Sequence, residues 1–354
     1  MIKSVPRLLR ISVHAQAKTI IRPWNQGLLI IINIMNPQFT TEFIFRRWYS
    51  LLMSLFIVAL HANAVIIDGI NYRLYSGNAA GVDKADNGYS GDIIIPSRIN
   101  YQSKDYTVTR IERNAFKNCN SLTSVTFPNT LAAIDYDAFY GCISLTSINI
   151  PASLTNLASN PFWGCVNLER ICVEEGNENY TSAGNSNAII NLSNKTLITG
   201  CKNTIIPNDV VTIGNGCFAE VSDLKSIVVP QNVRIIEPMA FYRSGIISFE
   251  IMDHIEKVMG RAFMECQSLT SLKIPQSCEV FEQAFEGCLN ISTVEIDAEN
   301  VKEWFRGMEN LKRVTLGDNV KTIGQYAFAE CKNLEELNIP ASVRYIQESA
   351  FQGD

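Results

Sequence analysis

The stretch Asn114 to Ile134, NAFKNCNSLTSVTFPNTLAAI, recurs in register 23 residues later as Asp137 to Leu157, DAFYGCISLTSINIPASLTNL, with nine positions identical. A unit this short cannot close a hydrophobic core of its own. A chain that repeats it must bury each copy against the next.

Phenylalanines mark the period: Phe116, Phe139, Phe162, Phe218, Phe241, Phe263, Phe285, Phe305, Phe328 and Phe351, with most steps 22 or 23 residues. Two steps depart from this. Phe285 to Phe305 is 20 residues, a shortened coil, and Phe162 to Phe218 is 56, one unit plus 33 extra residues. Six residues after most anchors stands a leucine or isoleucine such as Leu122, Leu145 or Leu334, and nine and eleven after come pairs such as Val125 with Phe127 and Ile148 with Ile150. The spacing of two within each pair is strand periodicity. The unit at Phe241 lacks one residue, which shifts its equivalents to Ile246, Phe249 and Ile251. Proline often follows the strand (Pro128, Pro151, Pro230, Pro275, Pro340) and stops it, because it has no amide hydrogen for a ladder. One short strand per unit is expected. The preceding run, from Asn114 to Cys119 in the first copy, has the offsets of one helical or 3₁₀ turn. The expected fold is therefore a repeat solenoid: a superhelix with a parallel β-sheet on one face and short helical or 3₁₀ turns on the other.

The pattern I-x-x-x-A-F-x-x-C-x-S-L-x-x-V-x-I-P runs through Ile111–Pro128 and Ile134–Pro151 and, with Asn333 in place of the serine, Ile323–Pro340. It resembles the BspA-like class of leucine-rich repeats found in microbial surface proteins, over roughly residues 90 to 354. That resemblance implies a secreted or surface-attached protein that binds other macromolecules without catalysis.

Residues 1–34 show no repeat, and their apolar run Leu28 to Ile34 is too short to span a bilayer. Arg46-Arg47, then Leu51 to Leu60, then Ala62-Asn63-Ala64 have the order of a secretory signal peptide cleaved after Ala64. A start at Met35 gives that peptide an ordinary length, so residues 1–34 read as a mis-assigned start and 35–64 as the signal. Residues 65–110 alternate apolar and polar in places around a Gly, Asn and Asp-rich stretch and read as a β-rich N-terminal cap, since a solenoid's first coil needs its apolar edge covered. The solenoid follows over 111–354. Its extra residues, near 174–206, hold two apolar runs around Ser193-Asn194-Lys195 and are expected to form a β-hairpin projecting from the coil. The chain stops at Asp354 with a strand still to come, which reads as a fragment.

Residues 1–64 hold seven basic residues and one acidic, so of the overall net charge of -5 the remainder from Val65 carries -11. Such a surface is unsuited to nucleic acid or anionic lipid. Six of the ten cysteines (Cys119, Cys142, Cys165, Cys266, Cys288, Cys331) stand three residues after their anchor, where other units have Val221, Ser244 and Met308. A slot that accepts valine and methionine is a core ladder rather than a metal or disulfide site. Cys172, Cys201, Cys217 and Cys278 lie off the ladder, and a pair among them remains open to oxidation. Past the cleavage point the only histidine is His254, and no zinc, phosphate-loop or serine-hydrolase motif is present. No cofactor and no enzymatic activity are expected. Glu174, Glu175, Asp297 and Glu299, which stand where other units have proline, read as solvated turns.

The outward strand positions make the candidate binding surface: Ser124, Thr126, Ser147, Asn149, Arg170, Ser271, Lys273, Thr293, Glu295, Arg313, Thr315, Glu336 and Asn338. Most are small or polar, which suits an extracellular protein or glycan ligand and equally suits a solvent-facing strand with no partner. Adhesion is the leading expectation. A structural spacer, or a glycan-recognition module of a larger surface protein, uses the same residues, and nothing in the sequence sets an oligomeric state.

Overall fold

The computed structural model describes residues 64 to 353; the start-site reading, and the signal-peptide reading apart from Ala64, lie outside them. Ten coils stack along one axis, each with its anchor ring inside, in two series. Phe116, Phe139 and Phe162 stack at centroid separations of 4.8 and 5.1 Å. Phe218, Phe241, Phe263, Phe285, Phe305, Phe328 and Phe351 stack at 4.9–6.3 Å. Most of these rings are fully buried, and each contributes roughly 1.5–3 kcal/mol by leaving water.

A coil has three walls. The first is the expected strand, as in Ser271–Ile274, with Leu272 and Ile274 buried and Lys273 exposed. The second departs from the expectation of one strand per unit. The isoleucine or valine five residues before many anchors belongs to a second, two-residue strand such as Ala133–Ile134 or Thr212–Ile213, and these pair in parallel from coil to coil. Two residues are too few to show a strand period in the sequence.

The third wall is turn rather than helix. Among the described residues the only helix is the 3₁₀ segment Ala183–Asn185 in the extra residues. Amides reach back three residues (Cys119 to Phe116, Cys142 to Phe139), and the residue two after each anchor has positive φ in all ten coils, from Asn118 and Gly141 to Glu330 and Gly353. That left-handed residue frees an amide for the next coil: Asn118 N donates to Tyr140 O at 2.7 Å and Glu265 N to Glu286 O at 2.7 Å. The anchor's own amide does likewise, Phe263 to Ala284 O at 2.8 Å. Side chains add further rungs. The ladder thiols donate to the preceding anchor's carbonyl, Cys142 to Phe116 O at 3.0 Å and Cys288 to Phe263 O at 2.9 Å. Five residues after the anchor, Asn333 Nδ2 donates to Glu309 O at 2.7 Å and Ser144 Oγ to Asn120 O at 2.6 Å, which is why asparagine replaces serine there without cost.

Residues 64–111 form antiparallel hairpins, tied together by the parallel pairing of Ala79–Val82 with Lys104–Ile111, and join the stack where Lys104–Ile111 pairs in parallel with Ala133–Ile134. Tyr89 sits 4.6 Å from Phe116, at the open end of the ring series. Gly81 leaves room there: a Cβ would lie 1.9 Å from Oε1 of buried Glu112, so a larger residue must displace the carboxylate that accepts from Tyr75 OH at 2.7 Å.

The extra residues do not project. Ala188–Asn191 and Thr196–Gly200 run antiparallel, but the second strand also pairs in parallel with Thr212–Ile213, so the hairpin is built into the stack. Its alternation divides two cores, Ile189 and Cys201 packing with the N-terminal series and Ala188, Ile190 and Leu197 with the C-terminal one. The backbone of Gly200 takes the place of a preceding ring against Phe218, where a Cβ would lie 2.2 Å from its edge. Asn160 spans the seam, accepting from Thr199 Oγ1 at 2.9 Å and donating to Gly216 O at 2.5 Å. Two apolar runs in a polar context read as a surface hairpin, whereas their burial follows from both faces being apolar.

Candidate binding face

The first-wall strands form three separate sheets, which distribute the candidate residues unequally. Ser124 and Thr126 lie on the pair Gly91–Ile94 with Leu122–Thr126, and Ser147, Asn149 and Arg170 on the pair Ser147–Ile150 with Arg170–Val173. The other eight share a five-stranded parallel sheet: Ser248–Glu250, Ser271–Ile274, Thr293–Ile296, Arg313–Leu316 and Glu336–Asn338. Register places Ser271, Thr293, Arg313 and Glu336 in one row and Lys273, Glu295, Thr315 and Asn338 in the next.

The strand expected in the Phe218 coil, with Ser226 and Val228 outward, does not form. A strand forms only where a registered neighbour offers it a ladder. Here the coil before it gives its Ile205 amide to Ser186 O in the extra segment, at 3.0 Å, and offers no strand. Val228 is left 85 % exposed and Ile205 67 %.

On the five-stranded face the charges pair across neighbouring coils. Lys273 Nζ lies 3.1 Å from Glu250, and Arg313 grips Glu336 through two bonds of 2.6 and 2.8 Å. The hydrogen bonds to these carboxylates raise the Lys273 and Arg313 pKa values, and the Arg313 bond lowers that of Glu336. Each pair is exposed, so solvent and salt screen most of what it contributes. Two adjoining concavities of about 550 and 480 Å³ open on this face, sharing Lys273, Glu295 and Thr315. The smaller also meets Asp253 and Asp297.

On the N-terminal face the candidates are tied into local structure. Ser124 Oγ and Thr123 Oγ1 both donate to Asp92, at 2.6 and 2.8 Å, and lower its pKa. Asn149 Nδ2 donates to Glu174 Oε1 at 3.0 Å, and the other Glu174 oxygen accepts from Ala152 N at 3.1 Å. Glu174 thus closes a turn between coils rather than facing water alone. Asp297 does the same by accepting from the Asn319 side chain at 2.7 Å. Glu250, between the inward Phe249 and Ile251, follows from the shifted period yet is missing from the sequence-based candidates, and Asp253 carries no sequence signal. Desolvation by burial raises the Cys278 pKa to about 12 and holds that of Cys217 well above the ordinary thiol value, which keeps both off-ladder thiols protonated and poorly nucleophilic.

A model of the BspA-type leucine-rich repeat region, in six copies, matches residues 97–199, 196–304 and 301–354. The chain belongs to the BspA-type leucine-rich repeat family. Among solved structures, a leucine-rich repeat protein from Eubacterium ventriosum aligns at 21 % identity with a TM-score of 0.54, covering 81 % of this chain and 93 % of that one. One from Bacteroides ovatus aligns at 22 % and 0.45, covering 82 % and 92 %, and a leucine-rich cell surface protein from Faecalibacterium prausnitzii at 19 % and 0.48, covering 82 % and 86 %. The first of these shares the solenoid fold. No curated protein matches the chain. Among the described residues no helix is long and apolar enough to cross a membrane.

Proposed function

We propose that this protein is a secreted or cell-surface, non-catalytic leucine-rich repeat protein that binds an extracellular protein or glycan, in adhesion or a related contact, through the five-stranded face. The observation that carries this is the grouping of eight outward candidates on one uninterrupted sheet with two concavities, while the other five are scattered over two-stranded pieces. The ladders beneath fix that face, so a partner meets a surface already ordered. The test is binding of the purified full chain to immobilised extracellular proteins and glycans, compared with Thr293→Arg/Thr315→Arg, which fills both concavities. Loss of every interaction by that variant supports the proposal, and retention of all of them refutes it.

A further inference from the structure

Following the outward row backwards through the break extends the face. Thr212 pairs with Ile235 and Ile235 with Lys257, and seven residues before each of these stand Ile205, Val228 and Glu250. By that spacing the repeat assigns Ile205 and Val228 to the row that the sheet's register carries on through Glu250, Lys273, Glu295 and Thr315, apolar at one end and charged beyond. Ile247, 45 % exposed, widens the apolar end.

The charged part is not balanced. Its two cations, Lys273 and Arg313, are taken up by Glu250 and Glu336. Asp253, Glu295 and Asp297 rim one concavity with a single cation, Lys273, whose ammonium is bonded to Glu250, so the net charge there is negative.

Resting on the reading of this face as a binding surface, we infer that its occupant is a cationic, extended protein segment. One apolar side chain lies over Ile205 and Val228, and a lysine or arginine enters the concavity bounded by Asp253, Glu295 and Asp297. Charge complementarity selects this occupant over a neutral glycan or an acidic peptide, and an exposed isoleucine–valine pair beside a polar groove supplies the apolar anchor that protein interfaces use. Coils spaced about 4.8 Å apart place Val228 roughly 14 Å from Glu295, about four residues of extended chain. The ligand thus carries its apolar and basic residues about four apart.

The test is to pan a display library of short random peptides against the full chain. Selected peptides are then measured on Asp253→Asn/Glu295→Gln, on Val228→Asp, and on the charge-matched Glu279→Gln/Glu282→Gln, which lies off the row. The expected result is enrichment of peptides with an apolar residue and a lysine or arginine about four positions away, binding roughly tenfold more weakly to either face variant and normally to the off-row control. Uncharged or acidic peptides that still lose binding on the face variants overturn the cationic inference and leave the binding face standing. Basic peptides weakened equally by the off-row control, or no enrichment at all, overturn the inference. Enriched peptides indifferent to every face substitution overturn the binding face as well.

Discussion

The stacks on either side of the inserted hairpin are made from one repeat and yet present different surfaces. The N-terminal stack holds three anchor rings, and its outer strands pair only two by two. The C-terminal stack holds seven rings and carries five paired strands side by side. Irregularity as such does not account for this. The C-terminal stack contains both the coil missing one residue and the 20-residue step, and keeps its ring series and its face through both. At the short step the second-wall ladder yields, since Glu279–Val280 and Asn300–Val301 belong to different sheets, while Thr293–Ile296 pairs on both sides. Loss of residues is absorbed on one wall. The 33 added residues are not, because they put Gly200 where a ring should stack and Ser186 where a strand should pair.

The largest effect that can break this comparison is removal of a ring. Phe263→Ala, in the middle of the longer series and fully buried, is expected to cost about 3–5 kcal/mol in denaturant unfolding. Phe351→Ala, at the series end and only partly buried, is expected to cost far less. Equal costs would mean that the rings do not act as a stack.

A methyl group at the seam comes next. Gly200→Ala drives into the Phe218 ring and is expected to cost about 1–3 kcal/mol by overpacking. Calorimetry should then resolve two transitions, one for each stack. A single transition shifted as a whole would show that the seam transmits cooperativity without that contact.

The turn wall gives a smaller effect of opposite sign. The N-terminal stack fills its left-handed position with Asn118, Gly141 and Gly164, whereas the C-terminal stack begins with Glu220, Arg243 and Glu265. A residue with a Cβ pays about 1–2 kcal/mol there, partly offset by the entropy that glycine loses on folding. Glu220→Gly is therefore expected to stabilise the protein by roughly 0.5–1 kcal/mol, read as a higher denaturant midpoint.

The smallest effect is the pH dependence of the faces. Glu336 has its pKa lowered by the Arg313 hydrogen bond and Asp92 by the Ser124 and Thr123 hydroxyls. A carboxylate depressed in the folded state lends its full stability above the unfolded value, near 4 for these side chains, and loses it as pH falls through the folded value. Wild type should therefore exceed Arg313→Met slightly in stability at neutral pH and lose that margin below about pH 4. The same pattern is expected for wild type against Asp92→Asn. A margin that grows on acidification would mean that these carboxylates are not held in their charged form.

The anchors, the first-wall strands and the cysteine ladder were legible because each is a side-chain type returning at a fixed period, which one sequence displays without any structure. The shifted positions Ile246, Phe249 and Ile251 are buried as their places in the period require. What stayed hidden lacks a side-chain signature. The left-handed position is Asn, Gly, Glu or Arg in different coils, since its requirement is an amide direction rather than a chemistry. The second strand is two residues long. Eight of the thirteen candidate residues prove to be one surface, and what separates them from the other five is a backbone break in the Phe218 coil that the outward residues Ser226 and Val228 do not announce.

Hydrogen exchange of individual amides, followed on the full chain by NMR, tests most directly whether coils hold one another through ladders that fail at the seam. Amides within paired strands and turn rungs, such as those of Leu272, Val294 and Phe263, are predicted to be strongly protected, and those of Ile227 and Val228 to exchange at nearly the rate of an open chain. Protection running evenly through residues 226–229 into the neighbouring strands would contradict the account.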